Sequence, residues 1–267
     1  MKISDKLWLV TGGGSGMGRN LVLLLLDKGA RVITVDINKE ALKKTSVLAG
    51  SKVEFLTTLE LDITNKDNVI KTVEEIIATN GPIDGLINNA GIIQPFKHLN
   101  ELDVATVERI FNVNFWGMIY LAKTLLPHFM KRPEAHIVNV SSMGGFFAFP
   151  GQTAYGASKA AVKLITEGLM LELRETSINV SVVFPGAVNT NIMSNSGLRE
   201  KGKSKASTRT ESRALSAEKA AKIMVDGIEK NKKRIFVGKD SRIMDMIYRI
   251  NPNWAMDFIA NKTKHRL

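Results

Sequence analysis

Short runs of valine, isoleucine and leucine alternate along the chain with longer stretches in which apolar residues recur every three or four positions. The runs at 7–11, 31–36, 53–61, 85–89, 136–140, 179–184 and 234–237 are short and almost continuously apolar, as expected of strands buried on both faces. The stretches at 16–28, 39–48, 66–79, 103–126, 155–175 and 217–229 carry the helical period. Strand and helix alternate, which predicts an α/β fold: a doubly wound, seven-stranded parallel sheet with helices on both faces. Gly29, the pair Gly81-Pro82 and Pro127 stand where helices should stop.

With 267 residues, 44% of them apolar, the chain can bury one large core, so residues 1–267 are expected to form a single domain. Two segments break the pattern. Residues 189–216 are rich in Ser, Thr, Lys and Arg without a sustained apolar stripe, as expected of a mobile lid over a substrate. Residues 240–267 form an extension that mixes apolar and basic positions. The chain has no cysteine, which excludes disulfides, thiolate nucleophiles and cysteine-bound zinc; no metal is expected. The apolar run at 7–10 is too short and too closely flanked by charge for a secretory signal. The uncharged stretch 137–158 is broken by Asn, Ser, Gly, Gln and Pro, and reads as a strand plus a loop rather than a membrane span. A cytoplasmic protein is the expectation.

The first strand runs into Thr11-Gly12-Gly13-Gly14-Ser15-Gly16-Met17-Gly18, which opens the first helix. Glycines there let backbone N–H groups approach a pyrophosphate, and the helix dipole favours the negative charge. Gly12, Ser15, Gly16, Met17 and Gly18 are therefore candidate cofactor contacts on a Rossmann-type fold. Asp36 closes the second strand, where a carboxylate accepts hydrogen bonds from an adenosine ribose and repels a 2′-phosphate. No Arg lies between Gly12 and Gly18 or directly after Asp36, so NAD(H) is expected over NADP(H), with Lys39 as the nearest dissenting charge.

Tyr155 and Lys159 lie four residues apart, one turn along a common helix face. An ammonium near a phenol favours the phenolate, as general acid/base work requires, although a pair at this spacing also occurs as an ordinary solvent-facing couple.

The wider pattern resembles the short-chain dehydrogenase/reductase family from Leu7 to about Thr190. Thr11, Gly12, Gly16 and Gly18 match its TGxxxGxG loop, and Asn88-Asn89-Ala90-Gly91 match its NNAG turn. Ser142, 13 residues before Tyr155, stands where the family carries its catalytic serine, with Ser141 the weaker candidate. Asn114, in Val113-Asn114-Phe115-Trp116-Gly117, matches its relay asparagine in preference to Asn112, and Pro185-Gly186 matches the turn after the sixth strand. The resemblance implies an oxidoreductase that interconverts a secondary alcohol and a ketone. It makes Asn114, Ser142, Tyr155 and Lys159 the catalytic set. It adds Asp62, Asn89, Ala90, Gly91, Pro185, Gly186, Val188 and Thr190 to the cofactor contacts.

Past Ser142 the sequence is apolar, from Met143 to Pro150, which suggests a substrate with a sizeable apolar body of lipid, steroid or similar kind. Gln94, Gly144, Phe149 and Met193 are the candidate substrate residues, while the same phenylalanines would also serve as core or as a subunit contact. The net charge of +11 is uneven: residues 1–194 hold 19 Lys+Arg against 18 Asp+Glu, and residues 195–267 hold 18 against 8. A basic end of this kind suits an acidic carrier protein, which keeps 3-oxoacyl carrier protein reductase as an alternative, or an anionic membrane. The other alternative is a nucleotide-sensing scaffold without turnover. For the apolar and aromatic positions from Ile243 to Ile259, packing on the own domain or a homodimer or homotetramer contact compete with the membrane. No nucleic-acid motif accompanies the charge.

Overall fold

The computed structural model describes residues 1–198 and 214–263. Seven strands form one parallel sheet: β1 (Leu7–Thr11), β2 (Arg31–Asp36), β3 (Leu56–Glu60), β4 (Gly85–Asn88), β5 (Ala135–Val140), β6 (Ile178–Pro185) and, after a minor pair, β9 (Arg234–Val237). Their order is β3-β2-β1-β4-β5-β6-β9. The winding reverses between β1 and β4, and the strands on either side end together: Thr11 is in register with Val35, and Asn88 with Asn139. That crevice beyond the carboxyl ends is where an open α/β sheet holds a ligand.

Alternation along the strands feeds two cores. In β1, Trp8 and Val10 point to one face, where α1 (Gly16–Asp27) and α8 (Ala217–Glu229) bring Leu21, Leu25, Met224, Val225 and Ile228. Leu7 and Leu9 point to the other, where α3 (Lys66–Asn80), α5 (Gly117–Phe129) and α6 (Thr153–Glu172) bring Val69, Val73, Leu121, Leu125, Phe129 and Val162. Every residue of β1, β4 and β5 is buried, which explains their continuously apolar sequences. Trp8 lies flat over β4, where a Cβ on Gly85 would come within 2.3 Å of its ring.

Three expectations are corrected. The run 53–61 is a strand only over Leu56–Glu60, because Gly50–Phe55 forms a 3₁₀ turn. Its β3 is an edge strand, and Val53 and Phe55 remain exposed, so a longer ladder would bury little. The helix expected over 103–126 is α4 (Val104–Phe111), a π-type turn (Asn112–Trp116) and α5 in succession. Pro127 does not stop α5, which runs to Phe129; Phe129 is fully buried, and Met130 N still reaches Leu126 O at 3.0 Å. Gly29 and Gly81 do close helices, at φ of +78° and +88°.

The remaining named elements are α2 (Lys39–Ala49), the two-residue strands β7 (Val188–Asn189) and β8 (Leu215–Ser216), α7 (Ile192–Asn195), α9 (Lys239–Ile250) and α10 (Pro252–Thr263). β7 pairs with β8, so the segment expected to be a lid leaves and returns through one stem. Most of that segment, 199–213, lies outside the described residues. Among the described residues no helix is long and apolar enough to cross a membrane.

Candidate active site

The loop after β1 is held to β4 by Thr11, whose Oγ1 accepts from Asn89 N at 3.0 Å and Ala90 N at 2.9 Å. Gly12 has a φ of +71°, and a Cβ there would meet Ala90 Cα at 3.0 Å; one on Gly18 would lie 1.9 Å from Gly12 O. The bare backbone thus lets helix α1 start hard against the sheet. Ser15 caps α1 without a side-chain bond, and no acidic residue stands in the first turn, which leaves the helix N-terminus open to an anion.

Around this turn lies a cleft of about 410 Å³. Gly12, Ser15, Gly16, Met17, Gly18, Asp36, Asp62, Asn89, Ala90, Gly91 and Thr190, all candidate cofactor contacts, line it. Asp36 accepts from Gly14 N at 2.9 Å through Oδ2 and from Asn38 N at 3.0 Å through Oδ1. A carboxylate has about four acceptor sites, so capacity remains for ribose hydroxyls. The Arg19 guanidinium binds Gly14 O and Ala41 O, and its Nε donates to Thr45 Oγ1 at 3.0 Å; it knits α1 to α2. Lys39 lies 4.0 Å from Glu60, both exposed. Asp62 accepts from Thr64 N and Oγ1 at 2.9 and 2.7 Å.

A dinucleotide suits this donor set on two further observations. Asn89 Oδ1 is buried without a partner. A Cβ on Gly91 would stand 3.1 Å from Asn114 Oδ1 and 3.2 Å from Lys159 Nζ, so the glycine leaves the Lys159 ammonium reachable.

Asn114 sits in the π-type turn, whose extra residue carries it inward until it is 2% exposed. Its Oδ1 accepts from Ile92 N at 2.9 Å, and its Nδ2 donates to Ile92 O and Ser158 Oγ, both at 3.0 Å. Ser158 in turn donates to Tyr155 O, so one amide ties the segment after β4 to α6. The two serines at the end of β5 divide: Ser141 donates to Lys159 O at 2.7 Å, while Ser142 accepts from Gly144 N at 3.0 Å and hydrogen-bonds the Tyr155 phenol.

Burial pushes the Tyr155 phenol above its usual pKa, and the Ser142 hydrogen bond draws it part of the way back. Lys159 Nζ donates to Val140 O at 2.9 Å, and burial lowers its pKa to about 8, so it still carries its proton at neutral pH. The direct acidification of Tyr155 by Lys159 that the spacing suggests is thus not what sets the phenol here; the ammonium is turned to a carbonyl.

The candidate substrate residues are scattered. Gln94 is fully buried: Nε2 donates to Gly151 O at 2.9 Å, Oε1 accepts from Tyr155 N at 3.0 Å, and Gln94 O accepts from Gln152 Nε2. It shapes the turn ahead of Tyr155 and has no free amide for a substrate. Phe147 packs edge-on against Phe149 and Tyr248, with ring centroids 5.3 and 5.9 Å apart, in a cluster with Met244, Phe258 and Ile259. The apolar loop and the C-terminal helices therefore cover each other, which answers one of the readings for the extension. A groove of about 640 Å³ remains beside Gly144, Phe149, Leu164 and Tyr248. Met193 lies in the half-buried part of α7, next to Ile192, which lines the cleft around the β1–α1 turn.

Two features escaped the sequence reading. Asp240, in the first turn of α9, accepts from Ala187 N at 2.8 Å, and the buried Ser241 donates to Phe184 O at 2.8 Å, so the Pro185-Gly186 turn is built against the C-terminal helix. Gly186 must be glycine because a Cβ would lie 2.3 Å from the Asp240 carboxylate. The signal was Gly238 followed by Asp240 and Ser241, a helix-start pattern directly after a strand. Arg109 of α4 also lines the cleft, exposed and without an ion-pair partner among the described residues.

Residues 6–201 match the family model described as short chain dehydrogenase. The chain is similar to the putative oxidoreductase SadH of Mycobacterium tuberculosis, 33% identical over 250 residues that cover 92% of this chain and 90% of that one. Among solved structures it is similar to a short-chain dehydrogenase/reductase of Burkholderia phymatum in complex with NAD, with a TM-score of 0.80, 24% identity and coverage of 94% and 96%. ElxO with NADP bound superimposes with a TM-score of 0.75 at 26% identity, covering 89% of this chain and 97% of ElxO.

Proposed function

Because this chain belongs to the short-chain dehydrogenase family, we propose that it interconverts a secondary alcohol and a ketone with NAD(H) as its cofactor. The placement of Ser142 beside the Tyr155 phenol, with Lys159 one turn further along α6, carries the reading. The bound nicotinamide supplies the hydride acceptor or donor. Tyr155 and Ser142 hold the substrate oxygen between them, and Ser142 stabilises the charge that grows on it. In alcohol oxidation Tyr155 takes the hydroxyl proton, and in ketone reduction it returns one. Burial opposes the loss of that proton from the phenol, and the Ser142 hydrogen bond acts against it. Lys159 also reaches the bare space at Gly91, where the ribose hydroxyls next to the nicotinamide would be held. Asn114 fixes Ile92 and Ser158 around this corner, and a water held there would link Lys159 to solvent.

The preference for NAD(H) rests on Asp36 at the end of β2 and on the engagement of Arg19 away from it. An apolar substrate body rests on the groove beside Phe149 and Tyr248, not on free phenylalanine faces. Tyr155→Phe is expected to keep NADH affinity while turnover falls by about 10²–10⁴-fold. An NADH-fluorescence screen of alcohols and ketones graded by apolar size, run with both cofactors, supplies the substrate for that comparison. Unchanged turnover in the variant removes the tyrosine from the reaction, and faster turnover with NADP(H) overturns the cofactor assignment.

A further inference from the structure

Helix α9 carries a broad apolar arc, of which only part is covered. Met244, Ile247 and Tyr248 point inward, onto Phe147 and Ala255. Ile243, Met246 and Ile250, spaced i, i+3 and i+7, form a second stripe that is 53%, 56% and 81% exposed. Trp254 and Met256 of α10 are exposed as well, with Trp254 stacked on Phe258 and Lys262 lying over the Phe258 ring at 4.4 Å. A contiguous exposed apolar stripe of this kind marks a surface that something covers.

The charges beside the stripe indicate what covers it. Lys239, Arg242 and Arg249 are exposed on α9, and the first two have no ion-pair partner among the described residues. Asp245, the acidic residue within the helix, is neutralised by Arg234 and Arg249 at 3.0 and 2.9 Å, and Asp240 is held by Ala187 N. Asp257 on α10 is the remaining acid of the two helices, and the sequence continues beyond them with Lys264-His265-Arg266. The basic segment 199–213 holds Ala206 as its one apolar side chain, so it has nothing with which to bury the stripe. A second copy would bring a further net charge of +11 against this one. An apolar ridge with a tryptophan, flanked by cations, matches the plane of an anionic bilayer.

We propose that α9 and α10 dock the protein peripherally on an anionic lipid surface, with Ile243, Met246, Ile250 and Trp254 entering the headgroup boundary. The proposal is independent of the enzymatic reading. Full-length protein is centrifuged with vesicles of phosphatidylcholine alone and of phosphatidylcholine with an equal amount of phosphatidylglycerol, while tryptophan emission is recorded. Co-sedimentation is expected with the anionic vesicles only, accompanied by a blue shift that Trp254→Phe removes and Trp116→Phe retains. The triple variant Ile243→Ser, Met246→Ser, Ile250→Ser alters exposed positions only, and is expected to bind at least tenfold more weakly with an unchanged thermal midpoint. Lys239→Glu with Arg242→Glu should weaken binding similarly at low salt. Protein that stays in the supernatant overturns the proposal, as does equal binding by the triple variant. It is equally overturned if the triple variant changes the oligomeric state in sedimentation velocity, which makes the stripe a contact between copies, or if the stripe binds an acidic carrier protein and not the vesicles.

Discussion

The two ends of the cleft are built by opposite means. At the turn between β1 and α1 the sequence removes side chains, and what remains to meet a ligand is backbone N–H and the open start of α1. At the Tyr155 corner it adds them, and burial then moves the proton affinities of Tyr155 and Lys159 in opposite directions. The first end is tuned by space, the second by desolvation. An added methyl group should therefore damage binding at one end, and a removed hydroxyl should damage chemistry at the other.

The sharpest break of that contrast comes from two single-residue changes. Gly18→Ala would press a Cβ to 1.9 Å from Gly12 O, which forces the start of α1 away from the sheet. NADH affinity is expected to fall beyond measurement, with circular dichroism reporting whether the fold survives. Ser142→Ala removes a donor to the reacting oxygen and should lower turnover about 10²–10³-fold with little change in NADH affinity. If Ser142→Ala costs affinity instead of turnover, the division between the two ends is wrong.

Asp36 tests the binding end more gently. If Asp36 bonds the ribose of NAD, losing those bonds should cost about 1.5–3 kcal/mol, or roughly ten- to hundredfold in NAD affinity. Asp36→Ala should also raise the relative kcat/KM for NADP. Because Gly14 N loses its acceptor too, an increase in the NADP ratio, and not the loss of NAD affinity alone, is the informative outcome.

Lys159 tests the other end through pH. Its pKa is lowered to about 8 by burial, so the cation is present below that pH and lost above it. In the free enzyme, kcat/KM should therefore decline on an alkaline limb near pH 8, and Lys159→Arg, which stays charged, should move that limb upward. A limb that does not move assigns the titration to another group.

What the sequence disclosed follows the same division. Gly12 to Gly18 and Asp36 sit at strand ends fixed by local pattern, and Tyr155 and Lys159 share a helix face, so both ends were legible at short range. Contacts that depend on distant parts of the chain were not. The Gln94 amide spans 57 and 61 residues to reach Gly151 and Tyr155, so nothing near position 94 marks it as structural. The π-type turn at Asn112–Trp116 is invisible to a 3.6-residue period because one extra residue hardly disturbs the apolar pattern. The phenylalanines of 146–149 read as a substrate wall because the two helices that cover them were not foreseen.

The smallest expected effect concerns the link that joins the cleft to those helices. Asp240 reaches back 53 residues to Ala187 N and sits where Gly186 and Gly238 leave room for its carboxylate. It touches neither end of the cleft directly, yet it fixes the turn that leads into Val188 and Thr190. Asp240→Ala leaves the Ala187 N–H without this acceptor at an exposed position, which should cost about 1 kcal/mol, or roughly fivefold. If the turn positions the cofactor, that cost should fall on the KM for NAD, with kcat nearly unchanged. Asp240→Asn, which keeps an acceptor oxygen, should recover most of it. A purely structural Asp240 would instead lower the thermal midpoint and leave KM alone, and the C-terminal helices would then support the fold without shaping the binding end.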